Sequence, residues 1–258
     1  MKVTVIGCGN LGGAVVHGLV NAGHDVVACD KGEDALARLP DGVETTTETD
    51  AAVKDTGAEL VVVAVKPEAV GPVLESFDAE DGQVVASFAA AVSLGYVQDR
   101  VGVRAARVMP NLAGEYNEMA AAVCAEGDVP GEVERALDDL GDYVEVNEGL
   151  MDISTAVNGS GPAFVFYAMK AMRDAGVDGG LDEDAASALV AQTFRGAAAI
   201  AQNGERSLDG LIDAVCSPGG TTIEGMEVLR DADAGAPFSE AVAAAERRSE
   251  EITEELDL

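Results

Sequence analysis

The run Val3-Thr4-Val5-Ile6-Gly7-Cys8-Gly9-Asn10-Leu11-Gly12 decides how the rest of this chain is read. Its first four residues are all β-branched, which suits a short strand. A GxGxxG follows at once, and residues 11–22 then carry an apolar helical period that stops at Gly23. The glycine pattern alone is weak. Directly after a strand and opening a helix, it is the fingerprint of a dinucleotide-binding turn. Gly7 allows the tight turn, Gly9 lets the backbone approach a pyrophosphate, and Gly12 permits close helix–strand packing. Asn10 and Leu11 begin the helix, whose first N–H groups offer a partial positive charge to phosphates.

Residues 25–29 read as a second strand, ending at Cys29-Asp30-Lys31. Asp30 lies 23 positions after Gly7, close to the spacing expected of an acid that binds the adenine ribose. A carboxylate there favours NAD and repels a 2′-phosphate, and Lys31 offsets that repulsion. Asp30 equally suits the cap of a helix starting at Glu33. The cofactor is therefore NADPH or NADH.

Further strands are expected at 60–65, 84–88 and 104–109. The Val-rich run 60–65 is of the kind buried on both faces of a parallel sheet. Strands alternating with helices imply right-handed crossovers and a doubly wound sheet of Rossmann type. Near Gly149 the pattern changes. Alanine-rich segments of helical period dominate from Met151 onward, at 163–175, 183–203, 208–215, 222–230 and 240–255. Two domains are expected, 1–149 binding the dinucleotide and an all-helical 150–258. The helices are few for an independent core, so dimerisation through them is expected.

Bulk properties narrow the function classes. The formal net charge of −31 repels nucleic acid and anionic lipid. No apolar run is long enough to span a bilayer, and Met1-Lys2-Val3-Thr4-Val5-Ile6 does not resemble a signal peptide, so a cytoplasmic protein is expected. Cys8, Cys29, Cys124 and Cys216 have no CxxC spacing and read as reduced, buried small apolar groups. With only His17 and His24 besides, no metal site is expected.

Three later segments carry chemistry. Ala64-Val65-Lys66-Pro67 ends the Val-rich strand, at the edge where open parallel sheets bind ligands. Lys66 is a candidate for the cofactor's edge and Pro67 stiffens the loop. Ser87-Phe88-Ala89-Ala90-Ala91 ends the next strand, with small groups such as Ala89 for the nicotinamide side. Ser217-Pro218-Gly219-Gly220-Thr221-Thr222 precedes a helix. It fits either a capping turn or a nest of main-chain N–H groups for a small anion.

These segments, with Arg107-Val108-Met109-Pro110-Asn111 and Gly159-Ser160-Gly161-Pro162-Ala163, resemble in order the motifs of pyrroline-5-carboxylate reductases. The resemblance runs from Gly7 to Thr222, and the segment 217–222 is its most specific part. It implies a Rossmann domain followed by a helical domain that interlocks with a partner, in a homodimer or a larger oligomer of dimers. It implies reduction of 1-pyrroline-5-carboxylate to L-proline, the last step of proline biosynthesis, with a lean to NADPH. Ser217, Gly219, Gly220, Thr221 and Thr222 would then hold the carboxylate of the cyclic imine, with Thr222 also near the imine nitrogen. A protonated imine is already electrophilic, so positioning and exclusion of water suffice. The chain departs from the family pattern at Leu112-Ala113, at Asn158 and at Asp50. Glu205, shortly before the nest, orients the nicotinamide amide or Thr222, or is one more surface acid. The alternatives are another Rossmann oxidoreductase, such as an imine or cofactor reductase, and a nucleotide-binding module without turnover. Hydroxyacid dehydrogenases of this build use a lysine donor in the helical domain, where only Lys170 stands, inside a helical pattern.

The acidic excess is spread along the whole chain and suits a cytosol of very high salt, where screening suppresses self-repulsion. Lowering the salt should therefore unfold the protein. Circular dichroism during dialysis into dilute buffer checks this, and full retention of fold and activity would refute it.

Overall fold

Lys2–Ile6 forms the first strand, β1, and the glycine turn leads into helix α1, Asn10–Asn21. The structure, a computed structural model, describes residues 1–54 and 56–256. It divides into one unit of Met1–Ser160 with Val242–Leu258 and a second of Gly161–Ala241.

In the first unit the chain continues as β2 (Asp25–Cys29), α2 (Glu33–Leu36), β3 (Glu44–Thr46), α3 (Thr49–Val53), β4 (Leu60–Val63), α4 (Pro67–Leu74), β5 (Val84–Ser87), α5 (Leu94–Val101) and β6 (Arg104–Met109). A 3-10 turn, Leu112–Tyr116, precedes β7 (Met119–Ala125), α6 (Gly131–Leu140) and β8 (Gly141–Glu145). The strands lie in the order β3-β2-β1-β4-β5-β6-β7-β8. Two apolar cores cover the sheet, one on each face. Val3, Val5, Leu60 and Val62 enter one, and Ile6, Val61 and Val63 enter the other. All four β4 side chains are fully buried, which explains the unbroken Val run and contributes about 1.5–3 kcal/mol per side chain. The one hydroxyl inside β1, on Thr4, is satisfied by donating to the Ala52 carbonyl at 2.6 Å.

The sheet is parallel except at β6 and β7, which pair antiparallel. The connection between them holds only the 3-10 turn, too short for a crossover helix. Strands β3, β7 and β8 were outside the expected set. β3 has three mostly exposed residues, and β7 is Ala-rich, so neither carries a Val/Ile signature. β4 stops at Val63, so Ala64 and Val65 lie in the loop beyond it. Pro67 stands at the first turn of α4, where its missing N–H costs nothing, and opens a helix instead of stiffening a loop.

The sheet unit runs past Gly149, the expected join, through α7 (Met151–Ser154) and a π-helical turn at Thr155–Gly159. The second unit holds α8 (Gly161–Asp178), α9 (Glu183–Asn203), α10 (Leu208–Val215), α11 (Thr221–Asp231) and the start of α12 (Gly235–Leu256), whose later turns belong to the sheet unit. There, Ser249 Oγ donates to Asp152 Oδ1 at 2.6 Å. Within the helical unit only Ala186 and Val190 are buried apolar side chains among the described residues. Phe166, Tyr167, Ile200, Leu208 and Val228 are each more than half exposed.

Helix α1 packs against the 3-10 turn so closely that a Cβ on Gly18 would overlap the Gly114 carbonyl and lie 2.5 Å from Leu140 Cδ2. Gly18→Ala should therefore destabilise by about 1–3 kcal/mol despite alanine's better helix propensity. Gly95→Ala in α5, where a Cβ meets nothing within 4 Å, should be neutral or slightly stabilising. Denaturant melts of the two variants check the sign.

Candidate functional site

The glycine turn has the shape its spacing predicts. Gly7 sits at φ +93°, and an added Cβ would stand 2.6 Å from Val65 Cγ1 and 2.8 Å from the Ala64 carbonyl oxygen. A Cβ on Gly12 would overlap the Gly7 carbonyl. Gly9, by contrast, is exposed, with nothing within 4 Å of its Cβ position. The turn is thus closed on its protein side and open outward. Gly9 is the N-cap of α1, no side chain caps the helix, and its first turn carries no acid. The N–H groups of Asn10 and Leu11 head that turn, where no intrahelical carbonyl reaches them. A cradle of this kind fits a pyrophosphate.

Asp30 locks the cradle in place. Its Oδ2 accepts the Cys8 N–H at 2.6 Å and its Oδ1 accepts the Gly32 N–H at 2.8 Å. It does not cap α2, whose N-cap is Gly32 with no side-chain bond. Burial foremost, then the nearby Asp30 charge, pushes the Cys8 thiol up to about 12, so this cysteine is an inert filler. Lys31 and Lys66 are exposed, and Lys66 is the N-cap of α4. Ala64 and Val65 form the wall behind Gly7 and Gly12.

The β5–α5 loop is held rigidly. Ala89 and Ala91 are buried, and Ala91 takes the left-handed φ of 60°, which costs a non-glycine residue about 1 kcal/mol. Ser93 caps α5 by accepting the Tyr96 N–H at 3.2 Å. The next amide, Leu94 N–H, donates to Glu148 Oε1 at 3.2 Å. Glu148 also accepts from Arg107 Nη1 at 2.6 Å and from the Cys124 thiol at 3.0 Å. Burial opposes ionisation of Glu148, but the bonds from Cys124 and Arg107, with the Arg107 charge, hold its carboxyl below the usual range. Burial first, then Glu148, pushes the Cys124 thiol up to about 12. Ser87 Oγ and Arg107 Nε and Nη2 are buried without a protein partner beside this cluster, at paired positions of β5 and β6. No sequence signal marked Glu148, because its partners lie 24 to 54 positions away.

Two of the altered family positions have structural work. Asn158 donates its amide to the carbonyls of Met109 at 2.7 Å and Ala120 at 2.9 Å, tying the π-helical turn to β6 and β7. Leu112 opens the 3-10 turn capped by Asn111, whose Oδ1 accepts the Ala113 N–H at 3.1 Å.

In the helical unit, the Gly220 N–H donates to the Ser217 carbonyl at 2.9 Å, and Gly219 adopts φ +67°. This turn delivers the chain into α11 with Gly220 as N-cap and no side-chain cap. Thr221 and Thr222 lie in the first helical turn, exposed, as does Ser217 in the turn before them. Glu205 is exposed in the segment before α10. The six residues of the predicted nest thus form one uncapped helix entrance, suited to a small anion.

Comparisons with known proteins agree with both halves. A family profile described as "Pyrroline-5-carboxylate reductase dimerisation" matches residues 148–252, and one described as "NADP oxidoreductase coenzyme F420-dependent" matches residues 2–91. The chain is 36% identical to a pyrroline-5-carboxylate reductase of Methanosarcina acetivorans, over 97% of each chain. It superposes on the crystal structure of Plasmodium falciparum pyrroline carboxylate reductase with NADP bound at a TM-score of 0.85, with 25% identity over 98% of each chain. For a pyrroline-5-carboxylate reductase from Coxiella burnetii the TM-score is 0.83 and the identity 30%, over 97% of this chain and 98% of the other.

Proposed function

The chain belongs to the pyrroline-5-carboxylate reductase family, and on that premise we propose how its own residues reduce 1-pyrroline-5-carboxylate to L-proline with NAD(P)H. Bound NAD(P)H supplies the hydride that reaches the imine carbon. Gly7, Gly9, Asn10, Leu11 and Gly12 hold the pyrophosphate on the N-terminus of α1. Ala64, Val65, Lys66 and Pro67 border it, Asp30 and Lys31 face the adenosine end, and Ala89 stands on the nicotinamide side. The β5–α5 loop there is fixed by Glu148 and by the turn at Ala91.

Ser217, Gly219, Gly220, Thr221 and Thr222 hold the substrate's carboxylate. The observation that carries this assignment is the entrance to α11, where a left-handed glycine presents a helix end that no side chain caps. Those amides attract an anion without a cationic side chain. Thr222 adds a hydroxyl that holds the imine nitrogen and steadies its proton. The imine is electrophilic once protonated, so these residues orient it instead of donating a proton from a tuned acid.

The helical unit's exposed apolar faces support a homodimer or an oligomer of dimers. Side chains such as Phe166, at 65% exposure, and Tyr167, at 74%, have no core of their own to enter. The charge of −31 supports a cytosol of high salt. Among the described residues no helix is long and apolar enough to cross a membrane.

Thr222→Ala should lower kcat/KM for pyrroline-5-carboxylate by about ten- to a hundredfold while leaving the KM for the dinucleotide in place. Gly219→Ala, strained at its positive φ, should raise the substrate KM. Unchanged steady-state kinetics in both variants would reject the nest. Light scattering in high salt should give a dimer or a multiple of it, and a monomer would refute the interface.

A further inference from the structure

The adenosine end of the dinucleotide site carries a discriminating charge pattern, whose meaning rests on the proposed seating of NAD(P)H along α1. Asp30 follows β2 directly, with both carboxylate oxygens bound to main-chain N–H groups, Cys8 in the glycine turn and Gly32 beyond it. A carboxylate has about four acceptor positions, so each oxygen keeps one for a ribose hydroxyl. Fixed at both ends, it cannot swing away from a phosphate placed beside it. The surroundings add negative charge. Glu33 and Asp34 are exposed in the first turn of the four-residue helix α2. On the neighbouring strand end, the Asp30 N–H donates to the Thr46 carbonyl at 3.2 Å, and the Glu48 N–H donates to Thr46 Oγ1 at 3.1 Å. In the run Asp30-Lys31-Gly32-Glu33-Asp34, three carboxylates face one ammonium. The thiol of Cys29 feels the same field: burial foremost, with the charges of Asp30 and Glu48, raises it, against the lowering by a hydrogen bond with Thr49 and, more weakly, by Lys31.

We propose that Asp30, backed by Glu33 and Asp34, makes this reductase prefer NADH, by binding the 2′-hydroxyl of the adenine ribose and repelling the 2′-phosphate of NADPH. A 2′-phosphate brings close to two further negative charges against a carboxylate already saturated on its protein side. The rest of the dinucleotide is identical in the two cofactors, so the discrimination rests on this corner alone. Its long-range part is screened by salt, while the contact between Asp30 and the ribose is not.

The test is equilibrium binding of NADH and of NADPH, each followed by isothermal titration calorimetry. The proteins are the wild type, Asp30→Asn and the surface pair Glu33→Gln with Asp34→Asn, in high salt and at the lowest salt that keeps the protein folded. Asparagine keeps an acceptor for the Cys8 N–H while removing the charge, and the surface pair leaves the glycine turn untouched. The wild type should bind NADH at least about tenfold more tightly, a gap that narrows in both variants and widens as salt falls. Wild-type binding of NADPH as tight as that of NADH, or a gap unmoved by Asp30→Asn, would overturn the proposal while leaving the dinucleotide site standing. Binding of neither cofactor to folded protein would overturn the site and the proposal together.

Discussion

The sheet unit is organised by one steric constraint: β1 and α1 approach until the Gly7 carbonyl occupies the space a Gly12 side chain would need. Because the turn is this tight, the first N–H groups of α1 stand directly beyond the strand end and face outward past Gly9. The same helix then lies flat enough on the sheet for Gly18 to touch the 3-10 turn before β7. Val15, Val16 and Leu19 are fully buried in the core that results. The binding edge and the packing of one whole face of the sheet therefore depend on the absence of side chains at a few positions along one helix.

A chain with a net charge of −31 has to bind anions by some means other than its overall field. Cationic side chains are scarce, and those near the cofactor edge, Lys31 and Lys66, are exposed. In the proposed mechanism the attraction comes instead from main-chain N–H groups at the entrances of α1 and α11, neither of which has a side-chain cap. Acids occupy the first turn of α2, α4, α6 and α9, where they favour the helix dipole, and Glu224 stands in that of α11, but α1 has none. Such amides act by contact, so concentrated salt weakens them less than it weakens distant charges. The acidic surface and the anion sites are compatible because they work at different ranges.

Rigidity of the β5–α5 loop, the proposed nicotinamide side, comes from a buried polar cluster. Glu148 gathers an amide from α5, a guanidinium from β6 and a thiol from β7, holding three neighbouring elements to one carboxylate. Buried Arg107 needs that partner, since an unpaired charge in the sheet's core is costly. The cluster holds Leu94, three residues after the turn at Ala91, so a strained turn and a restraint occur close together in the chain.

The sequence by itself determined the parts whose chemistry is local. A strand, a GxGxxG and a helical period impose one turn geometry, because only glycine tolerates the positive φ at residue 7 and the close approach at residue 12. The Val run of β4 announced a strand buried on both faces, and Gly219 announced the helix entrance at α11 in the same way. Only the tertiary structure decided the features that join distant residues. β7 and β8 have weak strand composition; β7 exists because β6 offers an edge to pair with, and β8 because β7 offers the next one. The bond from the Cys8 N–H to Asp30, 22 positions apart, made the acid that the spacing had assigned to the ribose a support of the glycine turn. Glu148 read as one acid among many until the fold brought it to Arg107. Local backbone geometry is written in residue type and spacing. Pairing across a sheet and burial of a charge depend on which segments meet, and that is settled only when the whole core packs.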